Sequence, residues 1–501
     1  MTRDAMSKNH YYKTKLLKMG VWALLPGDCD VWHTQESARF FEQRFGISKG
    51  LLVIFTLDSG LQHAYVPEAY IAKLYKRIQD ICQQDCKTLE SMLKLFYPLR
   101  NEGRIAVSRK ALRDYSGVSN IELAKRFVFM RTWIRKVTVF DQFGWLGEDY
   151  WKAPMRDVLT EKLGLEEGSA EYNAVLFSLT KPEEISSTLA DKRGVLREVI
   201  KIKHKETTEL AASKRLAKKY GWMPVFCFGE PWNETRYMEE IQATKKRHLG
   251  ELDTEYNKLK NYAAIRNREI KGLVKRYNIS PRDLQIFIDF GLALDTRNEA
   301  EYFVSFAGPF LMPMYREIAK RLYCTTEQIR LVYENKMIEC LLGKKDITKL
   351  LPQKGTTNGF GFSEDMKTFY YYPPKEARPL FNYIESYVEN VQGGDEAKGT
   401  CASPGKARGK IRIVPSPEFN SKVKNGDILV TYSTTVDYLP AMKRAAAIIT
   451  EVGGLTCHAA VVSREFGIPC VVALKNAMKN FKDGDLVEVD ADKGFVKKIT
   501  K

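Results

Sequence analysis

The chain has 501 residues, with 79 Lys and Arg against 62 Asp and Glu, for a formal charge of +17 at pH 7. At roughly 100–200 residues per domain there is room for about three domains. A composition of 44% hydrophobic and 28% charged residues excludes disordered, collagen-like and low-complexity classes. The positive excess is spread along the chain and is densest over Asp191–Tyr220, where a solvated helix face explains it best. The sharper reading, attraction to phosphate-bearing ligands or nucleic acid, has no nucleic-acid module signature behind it. The segment Met1–Gly20 is polar and basic, and no run approaches the ~20 apolar residues of a membrane span. The expectation is a cytoplasmic protein without a membrane partner. Nine cysteines are scattered, and Cys82 and Cys86 lie at helix-face rather than CxxC spacing. That speaks against a metal site and for a reducing compartment.

In chain order, Gln35–Phe45 has helical periodicity. Leu51–Leu57 and His63–Pro67 read as strands of a hairpin around Asp58-Ser59-Gly60. Glu68–Ile81 reads as a helix, and so does Ile121–Phe140; Ser169–Thr188 gives no clear signal. Residues 195–345 look almost entirely helical. Leu252, Tyr256, Leu259, Tyr262 and Ala263 suit one long amphipathic helix. Ser280-Pro281 and Thr325 mark helix starts, and Gly343 a helix end. Met312, Met314 and Tyr315 read as core filling. Gly355–Gly361 has loop composition, Lys367–Tyr372 is an aromatic strand ended by Pro373-Pro374, and Gln392–Asp395 is a linker.

Beyond it the periodicity changes. Lys410–Val414, Asp427–Thr431, Ala446–Thr450, Pro469–Leu474 and Leu486–Val489 are short β-rich runs, with helices expected at Asp437–Arg444 and Thr456–Phe466. The fold class is multidomain α+β, with mixed, mainly helical N-terminal and central regions before a compact C-terminal α/β module. The segments are 1–194 (mixed α/β), 195–350 (helical, a candidate acceptor- or partner-binding domain), 351–394 (β-rich segment and linker) and 395–501 (the C-terminal module).

The chemistry gathers in Gly453-Gly454-Leu455-Thr456-Cys457-His458-Ala459-Ala460-Val461-Val462-Ser463-Arg464, between a strand and a helix. The Gly pair permits a tight turn with positive φ, and Thr456 can cap the helix. His458 then sits in the first turn, where free N–H groups and the helix dipole favour negative charge. Ala459 and Ala460 leave room beside the ring, Val461 and Val462 anchor the helix, and Arg464 can add a cation. A neutral imidazole is nucleophilic near neutral pH, and a phosphorylated one passes its phosphoryl group on, splitting one transfer into two steps. His10, His33, His63, His204 and His248 fall in no constellation.

This segment resembles the phosphohistidine signature of the PEP-utilising enzymes, among them PEP synthase, pyruvate phosphate dikinase and the sugar-transport phosphotransferase enzyme I, at every one of its twelve positions. Ala402–Lys410, Gly426–Val430, Arg464–Pro469 and Asp483–Asp490 resemble the rest of the family's swivelling domain. The resemblance implies a β/β/α swivelling fold over about 398–498 and His458 as the phospho-accepting residue. It also implies Gly453, Gly454, Thr456, Cys457 and Arg464 as its phosphate cradle or setting. Val436 stands where relatives usually have Pro, and Ala473 where Gly is common. Residues 205–350 resemble more loosely the helical segment that precedes this domain in PEP-synthase-like proteins and rifampicin phosphotransferase, which in the rifampicin enzymes holds the acceptor. Neither an ATP-grasp domain nor a PEP barrel is recognisable, and no phosphate loop appears.

The expectation is a phosphotransferase component charged in trans by a separate ATP-grasp or PEP-binding protein. That protein would bring ATP and Mg²⁺, since no cofactor is evident in this chain, and a small-molecule acceptor would complete the reaction. The alternatives are a non-catalytic binding or regulatory protein with a retained swivelling domain, and a nucleic-acid-associated basic protein.

Overall fold

Strand pairing decides the first sheet where local propensity does not. Leu52–Thr56 (β2) and Gln62–Pro67 (β3) form the expected antiparallel hairpin, and Trp22–Leu25 (β1) adds to its outer edge. On the other side β2 pairs with Asn358–Phe362 (β4), and β4 with Phe369–Tyr372 (β5), in the order β1-β3-β2-β4-β5. The Gly-rich stretch expected to be a loop is therefore a strand from Asn358 onward. Ladder bonds on both sides compensate for its poor propensity, and Gly359 and Gly361 stand in register opposite Phe55 and Val53.

The computed structural model describes residues 22–25, 52–56, 62–67, 93–138, 148–228, 231–330, 334–351, 356–362, 369–385 and 396–499, with a few single positions besides and without Thr456. The expected helices at Gln35–Phe45 and, almost wholly, Glu68–Ile81, and the linker at Gln392–Asp395, lie outside the described residues. The chain forms two units of discontinuous sequence. The first contains Met1–Gln84, Asn101–Val139 and Phe310–Gln392; the second contains Asp85–Arg100, Phe140–Pro309 and Gly393–Lys501. The four segments drawn from sequence do not map onto these units one for one: 351–392 joins the sheet of the N-terminal strands, and most of the helical segment groups with the C-terminal module.

In the first unit, Asn120–Thr138 (α1) buries Leu123, Phe127, Met130, Ile134 and Val137, the three- and four-residue steps of one apolar stripe. Phe127 meets Tyr315 edge-on at 5.2 Å.

The helices of the second unit start on well-placed caps. Ala170–Leu179 (α2), Ser187–Lys203 (α3), Glu209–Tyr220 (α4) and Glu234–Lys245 (α5) begin after Ser169, Ser186, Thr208 and Asn233, whose side chains accept N–H bonds from the first turn. The amphipathic run expected to be one helix is two, Leu249–Lys260 (α6) and Tyr262–Tyr277 (α7). Asn261 leaves helical geometry between them at φ −101°, ψ 22°, as a residue that competes with the backbone for hydrogen bonds does readily. Pro281–Arg321 (α8) runs 41 residues from the Ser280 cap, whose hydroxyl accepts from Asp283 N–H at 3.1 Å. Residues 289–300 of α8 are all buried, so this stretch has no solvent face.

The C-terminal module is a sheet in the order β6-β13-β12-β8-β9-β10-β11-β7, made of Glu396–Lys398, Thr400–Ser403, Lys406–Ile413, Ile428–Thr431, Ala447–Thr450, Cys470–Val472, Leu486–Asp490 and Phe495–Lys498 as β6 to β13 in chain order. Strands β8 to β11 are parallel, and antiparallel strands close the edges. The central strands β9, β10 and β11 are buried and apolar on both faces, as strands covered on both sides require. Ile428, Val430, Ala447, Ile449 and Val471 point into one core. Leu429, Ile448, Cys470 and Val472 point into a second, which continues through Ala459, Ala460 and Val462 to Val195, Leu196 and Tyr302 of the helical region. The module is thus packed onto α3 and α8 by a shared apolar core.

Ala473, just past β11, sits at φ +55°, a left-handed backbone that favours glycine. Replacing Ala473 with Gly relieves left-handed strain of about 1–2 kcal/mol against a loss of about 0.5–1 kcal/mol in unfolded-state entropy. The expected outcome is a modestly higher denaturant midpoint with an unchanged slope; a lower midpoint would show that the backbone carries no strain there.

Candidate functional site

Two adjacent parallel strands deliver the site from their carboxyl ends, the usual location in open α/β sheets. The loop after β9 carries Thr434, and the loop after β10 carries Gly453 to Cys457 and opens into His458–Phe466 (α9). Backbone bonds hold the loops together: Glu451 N–H donates to the Thr431 carbonyl and Val452 N–H to the Tyr432 carbonyl, both at 3.1 Å.

Of the two glycines only Gly453 takes positive φ, at +118°. A Cβ there would lie 2.8 Å from Cys457 Sγ, so space and conformation both demand glycine. The N-cap position falls on Cys457, not on Thr456, which lies outside the described residues. Cys457 makes no side-chain cap bond among the described residues; its N–H donates to the Gly454 carbonyl at 3.2 Å and its carbonyl accepts from Val461 N–H at 3.1 Å. Arg464 binds its own loop and helix. Its guanidinium donates to the carbonyls of Leu455 (2.5 Å) and Ala460 (3.0 Å) and lies 5.2 Å over the Phe177 ring of α2. It staples the signature loop to its own helix.

His458 is the first residue of α9 and only 4% exposed. Its Nδ1 is 3.0 Å from the Thr434 hydroxyl, and its Nε2 is buried with no hydrogen-bond partner among the described residues. A buried N–H without an acceptor is rarer and costlier than a lone pair without a donor. The proton therefore belongs on Nδ1, donated to Thr434 Oγ, and Nε2 keeps its lone pair. Burial, helped by the Arg297 guanidinium of α8, lowers the ring's pKa from 6.5 to about 3. The imidazole is neutral at physiological pH.

The face of α9 that bears His458 also carries Val462 and Glu465, at steps of four and three residues. Val462 enters the core shared with α3 and α8. Burial pushes the Glu465 carboxyl up to about 7, against a hydrogen bond from the Ser186 hydroxyl. Charged contacts border this face. Lys443 reaches Glu240 of α5 at 2.7 Å and Asp191 of α3 at 3.7 Å. Burial raises Asp191 to about 6, whereas Lys443 and Arg236 outweigh burial at Glu240 and hold it at about 2. Lys192 and Lys443 both lie over the Phe466 ring, at 5.2 and 5.6 Å.

The family described as "PEP-utilising enzyme, mobile domain" matches residues 423–494. The C-terminal module belongs to that family. A probable phosphoenolpyruvate synthase of Archaeoglobus fulgidus is 55% identical over 112 residues, 22% of this chain and 15% of that protein. The phosphoenolpyruvate synthase of Pyrococcus furiosus is 50% identical over 128 residues, and that of Escherichia coli 36% identical over 126, each match covering 25% of this chain and 16% of the relative. The chain thus spans about a sixth or less of the length of these relatives. No helix among the described residues is long and apolar enough to cross a membrane.

Two residues that act on His458, Thr434 by its hydrogen bond and Arg297 by its charge, escaped the sequence reading. Thr434 lies two residues before the departure at Val436 and was not singled out. Arg297 is remote in sequence, although the unbroken polar run Asp295–Glu299 inside a long helix is a signal that could have been read.

A proton-uptake test follows from the depressed pKa. The unfolded chain takes up the His458 proton near its ordinary 6.5, the folded chain only near 3. The ring's contribution to stability is therefore complete above pH 6.5 and lost as pH falls from there toward 3, by up to about 1.4 kcal/mol per pH unit. Denaturant unfolding of the wild type and of His458→Asn should diverge in this direction over that window. A pH-independent difference would mean that the ring is not buried in its neutral form.

Proposed function

We propose that the chain is a phosphoryl carrier whose reactive atom is Nε2 of His458. A donor module on another protein, with an ATP-grasp or PEP-binding site, charges the histidine. The acceptor is a small molecule that meets the phosphohistidine beside the helical region. The observation that carries this reading is the state of the ring: neutral, held by Thr434 through Nδ1, with Nε2 lacking a hydrogen-bond partner among the described residues, in a stretch that matches the mobile domain over 423–494.

The chemistry balances simply. The Nε2 lone pair attacks the donor phosphorus, the N–P bond forms, and the donor's P–O bond breaks with its electron pair leaving on oxygen. The Nδ1 proton stays on the ring, held by the Thr434 oxygen. In the second step an acceptor oxygen attacks phosphorus, loses its proton to water, and the N–P pair returns to Nε2. Any Mg²⁺ requirement belongs with the nucleotide of the donor module in this scheme. The packing of the mobile domain on α3 and α8 supports the helical region as the place where the second step occurs.

The test is acid-labile, base-stable label on His458 after incubation with labelled ATP and Mg²⁺, or with labelled PEP, with and without an ATP-grasp protein. The expected result is one phosphoryl group per chain, absent in His458→Ala. No label with any donor would overturn the carrier reading. Thr434→Val leaves Nδ1–H without its acceptor and should slow labelling about tenfold, the equivalent of one hydrogen bond. An unchanged rate would remove Thr434 from the mechanism.

A further inference from the structure

We propose that Lys443 is the docking residue that seats the C-terminal module on the helical region, and that Asp191 of α3 and Glu240 of α5 form the socket for its ammonium group. This rests on the carrier reading, in which the module leaves the helical region and returns, and adds the contact that fixes where it lands.

The socket is built on the helical side. Arg236, Tyr237 and Glu240 lie at three- and four-residue steps on one face of α5. The Tyr237 hydroxyl donates to Asp191 at 3.0 Å, and Arg236 pairs with Glu240. The Arg236 guanidinium is stacked 4.4 Å over the Trp232 ring. Both acids are therefore oriented by side chains of the helical region itself. Asp191 is 1% exposed, on a helix that buries Val195, Leu196 and Val199 in the shared core. A carboxylate in such a place is costly unless a cation meets it.

The module brings that cation. Lys443 Nζ is 2.7 Å from Glu240 and 3.7 Å from Asp191. Asp191 and Glu240 against Arg236 alone leave one negative charge in excess; Lys443 brings the four groups to zero. Apolar contact is non-directional, so the shared core supplies adhesion without register. An ammonium group between two fixed acids supplies the register, since any other seating leaves a charge desolvated and unpaired.

The module's own bonding leaves this lysine to the helices. Arg444, the next residue, is anchored inside the module, where it donates to the carbonyls of Val423 and Asn420 at 2.8 and 2.6 Å. The same connection from β9 to β10 carries Thr434, which holds the His458 ring. Seating Lys443 thus fixes one end of the segment whose other end orients the nucleophile, which makes it a positioning residue. A cleft of about 310 Å³ beside the pair, with Glu240, Lys443 and Phe466 in its wall, lets water meet the ammonium group as it leaves.

Hydrogen exchange read by mass spectrometry, and modification by diethyl pyrocarbonate, test this on the full chain. The reagent's carbonyl carbon bonds to an accessible neutral imidazole nitrogen and ethyl carbonate leaves. Its rate at His458, read by peptide mass, therefore reports how often the buried ring is uncovered. Lys443→Glu should raise that rate, and the exchange of α3 and α9, by about tenfold or more. Strands β9 and β10 should keep their wild-type exchange, because the core internal to the module stays intact. Lys443→Glu combined with Glu240→Lys restores the sum of charges and should bring both rates back to within about threefold of wild type, a rescue that a merely structural lysine would not show. Rates in Lys443→Glu within twofold of wild type, or a double variant no closer to wild type than the single one, overturn the role of Lys443. Should Lys443→Glu lose protection throughout, β9 and β10 included, Lys443→Gln decides by the same readouts. Neither readout needs a phosphoryl donor, so a wild type that takes no label from any donor overturns the carrier reading and leaves the seat of Lys443 to be judged on its own.

Discussion

The bond between His458 Nδ1 and the Thr434 hydroxyl joins two loops that leave neighbouring parallel strands, and the chemistry of the site follows from it. Once Nδ1 carries the proton, Nε2 carries the lone pair. Burial then keeps the ring neutral, because a charged imidazole in this environment would lose its hydration without gaining an anion. The glycine at 453 is what lets the chain turn from β10 into α9 closely enough for the ring to reach Thr434. Arg464 fixes that turn from the opposite side of the helix.

The two-faced sheet sets the second constraint. Successive residues of β9, β10 and β11 alternate between a core internal to the module and a core shared with α3 and α8. Movement of the module off the helical region, as the proposed carrier role requires, would expose the second core and leave the first intact. The contacts that border the shared core are of a kind that water can replace. They are the Lys443 pairs with Glu240 and Asp191 and the stacking of Lys192 and Lys443 on Phe466. An interface of apolar contact rimmed by ion pairs can bind specifically and still release.

Much of this was legible in the sequence. The C-terminal strands and the histidine signature are local patterns, and each β-rich run falls on an observed strand. What failed to show was non-local. The strand at Asn358–Phe362 exists because β2 and β5 flank it, and its glycines argued the other way. The break at Asn261 hid inside a continuous apolar period, since helical phase survives a single non-helical residue. Thr434 comes to the histidine through the pairing of neighbouring strands, and no spacing rule reaches from 434 to 458. The departure at Ala473 was visible, but its meaning needed the backbone angle.

The central claim is that Nε2 of a neutral His458 is the free nucleophile. Nitrogen NMR of ¹⁵N-histidine-labelled protein, with His458→Asn to assign the resonance, reads it directly. At pH 7 the account predicts a neutral ring with the proton on Nδ1 and an unprotonated Nε2. A protonated imidazolium, or a neutral ring with its proton on Nε2, would contradict it.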